Sequence, residues 1–503
     1  MDFVSIVLFL VMYYVRPQEW WGLFSSLRPV QLVSILALWS LFSRENKIKL
    51  ADFFKTPHDW LITAYVGWSI FASPTPWATF KAVESLILTY YVAVQALTNL
   101  TRMRQLLAWW AGAIVFIAFL AVASEYGFDP LGSYDKTHGV MKDRLILNLS
   151  IFNNPNGLGH SVVPVIPMLF YLLFWKRIFL KAWIVILLIP LWCLYLTLSK
   201  GAFLCCAAII LATLCFGRPK PVQILVLVLA ALFGSALLYS LPRMNELHKA
   251  KTDAAIQGRV AALRFGLECM RTHTFGIGLG RFTGEFFRNG PLEYPEHPIR
   301  RWVNKQGRMI LISSNPGHHY TKATHGSYNQ NGAELGYTGL ALFVGALYCC
   351  FRTLITAKTT DPEEERIRRI LFCLVLAYAI SSWMVDFCYR PTFFLSVAAT
   401  SAFHRHLRGL LPGQQPILDE PVAETTVNYA PRPAVLSSKP SSFLSLQMEQ
   451  KTLVTDSSDM PQVALDPWQP KIAWKRLGLF DLALILISTK AVVMYWVHLI
   501  SEF

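Results

Sequence analysis

His325 is the residue of this chain best suited to move a proton. It lies in THGSYNQNGAELGYTGLALF, where a long polar stretch gives way to an apolar run, and an imidazole at such a boundary can serve as a general base near neutral pH. The same placement suits an interfacial His that only hydrogen-bonds a neighbour, and the nearby His318 and His319 blur the choice. HHYTKATH also invites a metal reading. Adjacent histidines do not face one ion from a single helix, however, and no H-E-x-x-H arrangement is present. No metal and no cofactor are expected.

Fixed cations would be the natural companions of such a base. Arg259 opens IQGRVAALRFGLECMRTHTFGIGLGRF, in which Val260, Leu263, Leu267 and Met270 recur near helical spacing. An amphipathic helix ending at Gly276-Ile277-Gly278 is expected. Arg259, Arg264, Arg271 and Arg281 either bind phosphate through their planar donors or form a solvated basic face. Lys200, in the tight LSKGA turn between two apolar runs, either snorkels to the headgroups or presents charge to a bound anion. Arg390, in FCYRPTF at another turn, carries the same two readings. GIGLG follows a helix rather than a strand, which makes a dinucleotide loop a poor reading. FNNPNG is expected to end one segment and start the next. The acidic residues Asp253, Glu268, Glu285, Glu293 and Glu296 form no DxD-like pair, which weighs against a nucleotide-sugar-dependent enzyme.

The elements that must hold these residues are membrane helices. The chain has 503 residues, is 54% hydrophobic and only 15% charged, and gathers its apolar residues in long blocks. Helices apolar on every side belong in lipid. The expected fold class is all-α, a polytopic transmembrane helix bundle with about twelve core spans and one large periplasmic loop containing helices. Residues 1–240 form the N-terminal part of the bundle, 241–334 a long polar loop on the face opposite the basic links, and 335–408 the C-terminal part. Residues 409–474, rich in Pro, Ser, Gln and Thr, read as a disordered cytoplasmic tail. The final segment, 475–503, carries the apolar run 477–500 with Asp481 and Lys490, either a thirteenth span or an interfacial helix.

Orientation comes from the basic links. SRENKIK (43–49), TRMR (101–104), KRIFLK (176–181), GRPKP (217–221), 351–369 and HRHLR (404–408) all fall on the cytoplasmic side if the chain starts there. The net charge of +15 is therefore topology information rather than a nucleic-acid footprint. The N-terminal run has no basic n-region and no small-residue cleavage site, and is taken as a retained span. Of nine Cys, only Cys269 sits within the polar stretch, so neither a disulfide framework nor a Cys-rich zinc site is supported.

Taken together, FNNPNGLG, LSKGA, the Gly-Arg that opens the 259 helix, FGIGLGRF and HGSYNQNGAELGYTGL resemble the O-antigen ligase and polymerase superfamily of bacterial inner membranes, over about 145–355. Ser199, Lys200, Gly201 and Ala202 stand where that family has a Ser-Arg-Gly-Ala turn. His325, Glu334, Gly336 and Gly339 stand where it has a His and a Glu-x-Gly-x-x-Gly type run, with Gly326 replacing the usual Asn. The resemblance implies transfer of a glycan from undecaprenyl pyrophosphate to a lipid, protein or glycan hydroxyl on the periplasmic face of the inner membrane. It implies His325 as catalytic base and Lys200 and Arg259 on the pyrophosphate, with Arg281, Glu334 and Arg390 as further substrate-binding candidates. The partners are then the lipid-linked donor, the acceptor and membrane lipids, with no nucleic acid. A polysaccharide polymerase shares the donor and differs in acceptor. A membrane transporter is the rival from another class, and Asp386 is its one weak argument.

Overall fold

The computed structural model describes residues 2–22, 29–43, 50–174, 180–241, 244, 254–290, 300–303, 309–312, 322–411, 471–472 and 474–502. His318, His319, residues 44–49 and most of the tail lie outside the described residues. What is described is overwhelmingly helical. One exception is a small antiparallel ribbon, Arg300–Val303 with Met309–Ile312, in register Arg300 to Ile312.

Helices Leu100–Glu125, Pro155–Leu173, Ser327–Thr356 and Leu479–Glu502 are long and apolar enough to cross a membrane, and shorter apolar helices such as Lys200–Cys215 accompany them. Large apolar side chains remain exposed around the bundle, among them Ile35, Trp39, Phe119, Leu232, Phe233, Leu486 and Ile487. A helix exposing such surface is stable only against lipid. The chain is an integral membrane protein.

Capping chemistry starts the helices that matter here. Asn154 accepts from the Asn156 N–H and precedes Pro155, so FNNPNG opens the Pro155–Val162 helix as the dipeptide signals require. Ser199 caps the Lys200–Cys215 helix and its hydroxyl donates to Asn156 Oδ1 at 2.8 Å, which ties the two helix starts together.

The long Ser327–Thr356 helix is broken at Gly336, whose backbone (φ 68°, ψ −170°) is essentially restricted to glycine. The break lets the loop after the Ala254–Thr272 helix dock. Ile277 N–H donates to Ala333 O at 3.0 Å and Gly278 N–H to Glu334 O at 2.9 Å, while Trp68 Nε1 donates to Leu335 O at 2.9 Å. Carbonyls released by the kink are thereby satisfied, as apolar surroundings demand. Gly276, at φ 80°, comes so close to this turn that a side chain there would collide with the Glu334 and Gly336 backbone. Gly336→Ala is expected to destabilise the fold by about 1–3 kcal/mol, read as a lower melting temperature in detergent. Unchanged melting would show that the kink does not require glycine.

At the other end of the long helix the described basic links, 101–104, 217–221, 351–369 and 404–408, gather. Arg104 pairs with Glu363 at 3.0 Å, Arg369 donates to Gly217 O at 2.7 Å and Arg366 to Leu172 O at 2.6 Å. Arg405 makes a buried pair with Asp59 at 2.9 Å, and Tyr90 and Ser401 donate to the same carboxylate at 2.7 and 3.0 Å. These groups share one end of the bundle with Thr353, roughly 40 Å along the helix from His325 at 1.5 Å per residue.

The terminal Leu479–Glu502 helix packs along the long helix, and its length is that of a span. Its acid is not left bare in lipid: Asp481 pairs with Arg352 and accepts from Tyr348 Oη at 2.8 Å. Lys490 lies on the exposed face. Ahead of this helix, Ile472 and Trp474, expected in the tail, are 2% and 8% exposed. Lys471 N–H donates to Leu407 O at 3.1 Å, so the chain is anchored before the helix begins.

Candidate active site

Four elements enclose a cavity of about 560 Å³. The Ala254–Thr272 helix contributes Arg259, Val260 and Leu263, and the entry to the long helix contributes Thr324, His325, Gly326, Tyr328 and Asn329. The turn after the Pro362–Ser381 helix adds Ser382, Trp383 and Met384, and the terminal helix closes the wall with Tyr495, Trp496 and Leu499. Its lining is mainly apolar and aromatic: the Trp383 ring lies 4.9 Å from Tyr328 and 5.1 Å from Tyr495. Such a chamber suits an amphipathic ligand, with a few polar groups fixing its orientation.

His325 is half-buried and stands at φ 52°, a left-handed backbone that costs a residue with a Cβ of order 1 kcal/mol. The surroundings hold it there. Just after it, Ser327 N–H donates to Ser382 O at 2.7 Å, and the Ser327 hydroxyl donates to Val385 O while accepting from Phe387 N–H, both at 2.8 Å. Just before it, Thr324 O accepts from Asn329 Nδ2 at 3.3 Å, and the same amide reaches Ala262 O at 3.1 Å. Asn329 thus locks the His325 segment to the Arg259 helix.

Arg259 faces the same cavity, one turn along its helix from Ile256. The expected amphipathic pattern is borne out: Val260, Ala262, Phe265, Leu267, Cys269 and Met270 are buried, and Phe265 meets Phe282 and Phe286 at 5.6 and 5.2 Å. Burial pushes the Cys269 thiol up to about 12, with Glu268 and Glu285 adding to it, so it supplies no thiolate nucleophile. On the 124–148 stretch, His138 donates to the Asp143 and Glu125 carboxylates, which hold it above its ordinary value and pin that segment to the Leu100–Glu125 helix.

Lys200 is the first residue of its helix and half-buried, and it does not line the cavity. Its turn nevertheless abuts the cavity wall. A Cβ on Gly201 would lie 3.2 Å from Met384 Cγ, and Met384 Sδ is 3.7 Å from Arg259 Nη1. Three of the sequence-derived candidates are therefore neighbours: His325 and Arg259 in one chamber, and the Lys200 turn one side chain behind it.

The other three are elsewhere. Glu334 is 1% exposed and accepts from Phe282 N–H at 3.2 Å, holding the 276–282 loop in place. Arg281 immediately precedes the Phe282–Asn289 helix and packs near Gly278. Arg390 lies over the Phe387 ring at 5.2 Å and interacts with Tyr13. None lines the cavity.

Sequence reasoning missed His160, Met384 and the terminal-helix aromatics. His160 closes FNNPNGLGH, and a His at the end of a motif already singled out was the available signal. Nothing local connects Tyr495 or Trp496 to His325.

Residues 184–344 match the family model described as O-antigen ligase. The matched stretch contains Lys200, Arg259, Arg281, His325 and Glu334; FNNPNGLG, Arg390 and the terminal helix lie outside it. No curated protein matches the chain.

Proposed function

We propose that the protein is an O-antigen-ligase-type membrane glycosyltransferase that moves a glycan from undecaprenyl pyrophosphate to a lipid, protein or glycan hydroxyl. The observation that carries this reading is the shared chamber: a held imidazole, His325, and a guanidinium, Arg259, face one largely apolar cavity, with the Lys200 turn against its wall. The family match supports the reaction class.

In this reading His325 takes the proton of the acceptor hydroxyl as that oxygen attacks the anomeric carbon. The glycosidic C–O bond to the phosphate breaks, and the leaving pyrophosphate gains negative charge. Arg259 offers a planar fork to that charge, and Lys200 a point charge at the positive end of its helix dipole. Fixed cations in a partly dry site stabilise charge that develops in the transition state without reorganising. The aromatic wall covers the sugar or the lipid from water.

Side and span number belong to the same proposal. The described basic links, 101–104, 217–221, 351–369 and 404–408, lie at the end of the bundle opposite His325, and Lys and Arg in short loops favour the cytoplasm. The cavity then opens toward the periplasm, the bundle has about twelve core spans with the terminal helix as a further one, and 241–334 is the catalytic loop. Acceptor choice lies in 124–148 and 281–324. A polymerase of the same superfamily would use the same chamber.

Deletion of the gene is expected to leave undecaprenyl-linked glycan accumulating while the finished surface glycan disappears, both read by lipid extraction and glycan blotting. A normal finished glycan in the deletion strain would sink the assignment.

A further inference from the structure

We propose that Met384 is a movable plug in a phosphate-oxygen subsite whose inner wall is His160; the proposal rests on the reading that this cavity receives a diphosphate ester. Gly201 is where the two side chains converge. A Cβ placed there would stand 3.2 Å from His160 Nε2, 3.2 Å from Met384 Cγ and 3.4 Å from Met384 Sδ. Gly201 is the second residue of the Lys200–Cys215 helix, so the first backbone N–H groups and the positive end of the helix dipole point to the same place.

His160 is 3% exposed, and its Nε2 is buried without a hydrogen-bond partner among the described residues. Its Nδ1 lies 2.8 Å from Ser381 Oγ. With the Ser381 hydroxyl donating to Nδ1, Nε2 carries the proton and is a donor aimed at the Gly201–Met384 junction. A buried donor with no acceptor is costly, and a native fold retains one where a ligand uses it.

The atom now occupying that junction is a poor acceptor. Arg259 Nη1 reaches Met384 Sδ at 3.7 Å, and a thioether accepts only weakly. A phosphate oxygen in its place would take charge-assisted bonds from the guanidinium, a bond from Nε2–H and the field of the helix start. Met384 is half-buried, lines the 560 Å³ cavity and so has room to swing. An unbranched side chain with three rotatable bonds does so at small cost. His160, outside the cavity while Met384 is in place, would become part of it once the plug moves.

The test uses the full chain purified in detergent and two probes, inorganic pyrophosphate and farnesyl diphosphate, with affinity measured by calorimetry. Met384→Ala is expected to bind farnesyl diphosphate several-fold more tightly, because the ligand no longer displaces a side chain. Met384→Leu, which keeps the bulk, should stay near wild type. His160→Ala should bind about tenfold more weakly, the value of one hydrogen bond to a charged oxygen, and His160→Gln should recover much of that loss. The decisive variant is Met384→Ala combined with His160→Ala, in which the tightening should vanish.

Tightening that persists without His160, or none in Met384→Ala, overturns the plug. Arg259→Ala serves as reference. If it alone loses binding while the Met384 and His160 variants match wild type, the plug falls and the diphosphate reading stands. If Arg259→Ala also binds as wild type does, the diphosphate reading itself falls. Equal response to both probes would show that the phosphates alone are recognised, and loss of response to pyrophosphate only would overturn a phosphate-oxygen subsite.

Discussion

His325→Ala is expected to lower glycan transfer by about 10²–10⁴-fold, the usual contribution of a positioned general base, while leaving donor binding near wild type. The acceptor hydroxyl is a weak nucleophile until its proton has somewhere to go, and His325 is the imidazole facing the cavity that Arg259 shares. Alanine also changes the backbone, because position 325 stands at φ 52°. His325→Asn is the better control: Asn tolerates the left-handed region and hydrogen-bonds, yet accepts no proton near neutral pH. It should fold as well as wild type, judged by melting in detergent, and be as inactive as the alanine variant. Transfer measured with purified donor and acceptor separates the two steps. Wild-type turnover in His325→Asn would remove the residue from the chemistry and leave it as a structural His at the start of the long helix.

Arg259→Ala should cost about 10²–10³-fold in turnover, comparable to loss of one preorganised donor to a developing anion. Arg259→Lys should recover only part, since a point charge lacks the two-pronged geometry of the guanidinium. Lys200 behaves differently. It lies behind the cavity wall, at the start of its helix, and acts through charge. Lys200→Ala should therefore weaken turnover strongly while Lys200→Arg keeps it. The two sites share a ligand, so the double alanine variant should fall short of the product of the single losses. Wild-type activity in both Lys200 variants would exclude Lys200, and full activity of Arg259→Ala would require another anion partner.

Much of the arrangement was legible in local pattern. A helix from Arg259 toward Gly276 followed from apolar spacing; the observed helix runs Ala254–Thr272, with Val260, Leu267 and Met270 buried and Leu263 half-buried. Asn154 and Ser199 are capping residues, and both start helices. Glu334 shows where local reading stops. A Glu beside glycines reads as a ligand group, whereas here it binds the Phe282 N–H because the kink at Gly336 brings the 276–282 loop onto the long helix. That contact depends on two glycines sixty positions apart in packing partners rather than in spacing, and no window of sequence contains both.

What the sequence determined by itself was the solvent and the local chemistry. Apolar blocks dictate lipid because backbone polar groups there must be satisfied within helices, basic links show which loops share a side, and His325, Arg259 and Lys200 were identifiable as residue types in the right surroundings. Only the tertiary structure decided which of these meet. Arg259 and His325 face one cavity because Asn329 bonds the carbonyls of Ala262 and Thr324 at once. His160 stands behind Met384 because Ser381 holds its Nδ1 and its Nε2 lies beside Gly201, on two separate helices. The terminal helix forms a wall of the cavity because Asp481 is neutralised by Arg352, which lets a helix with an acidic first turn lie along the bundle. Each of these is a long-range pairing set by packing, and periodicity carries no information about partners so far apart.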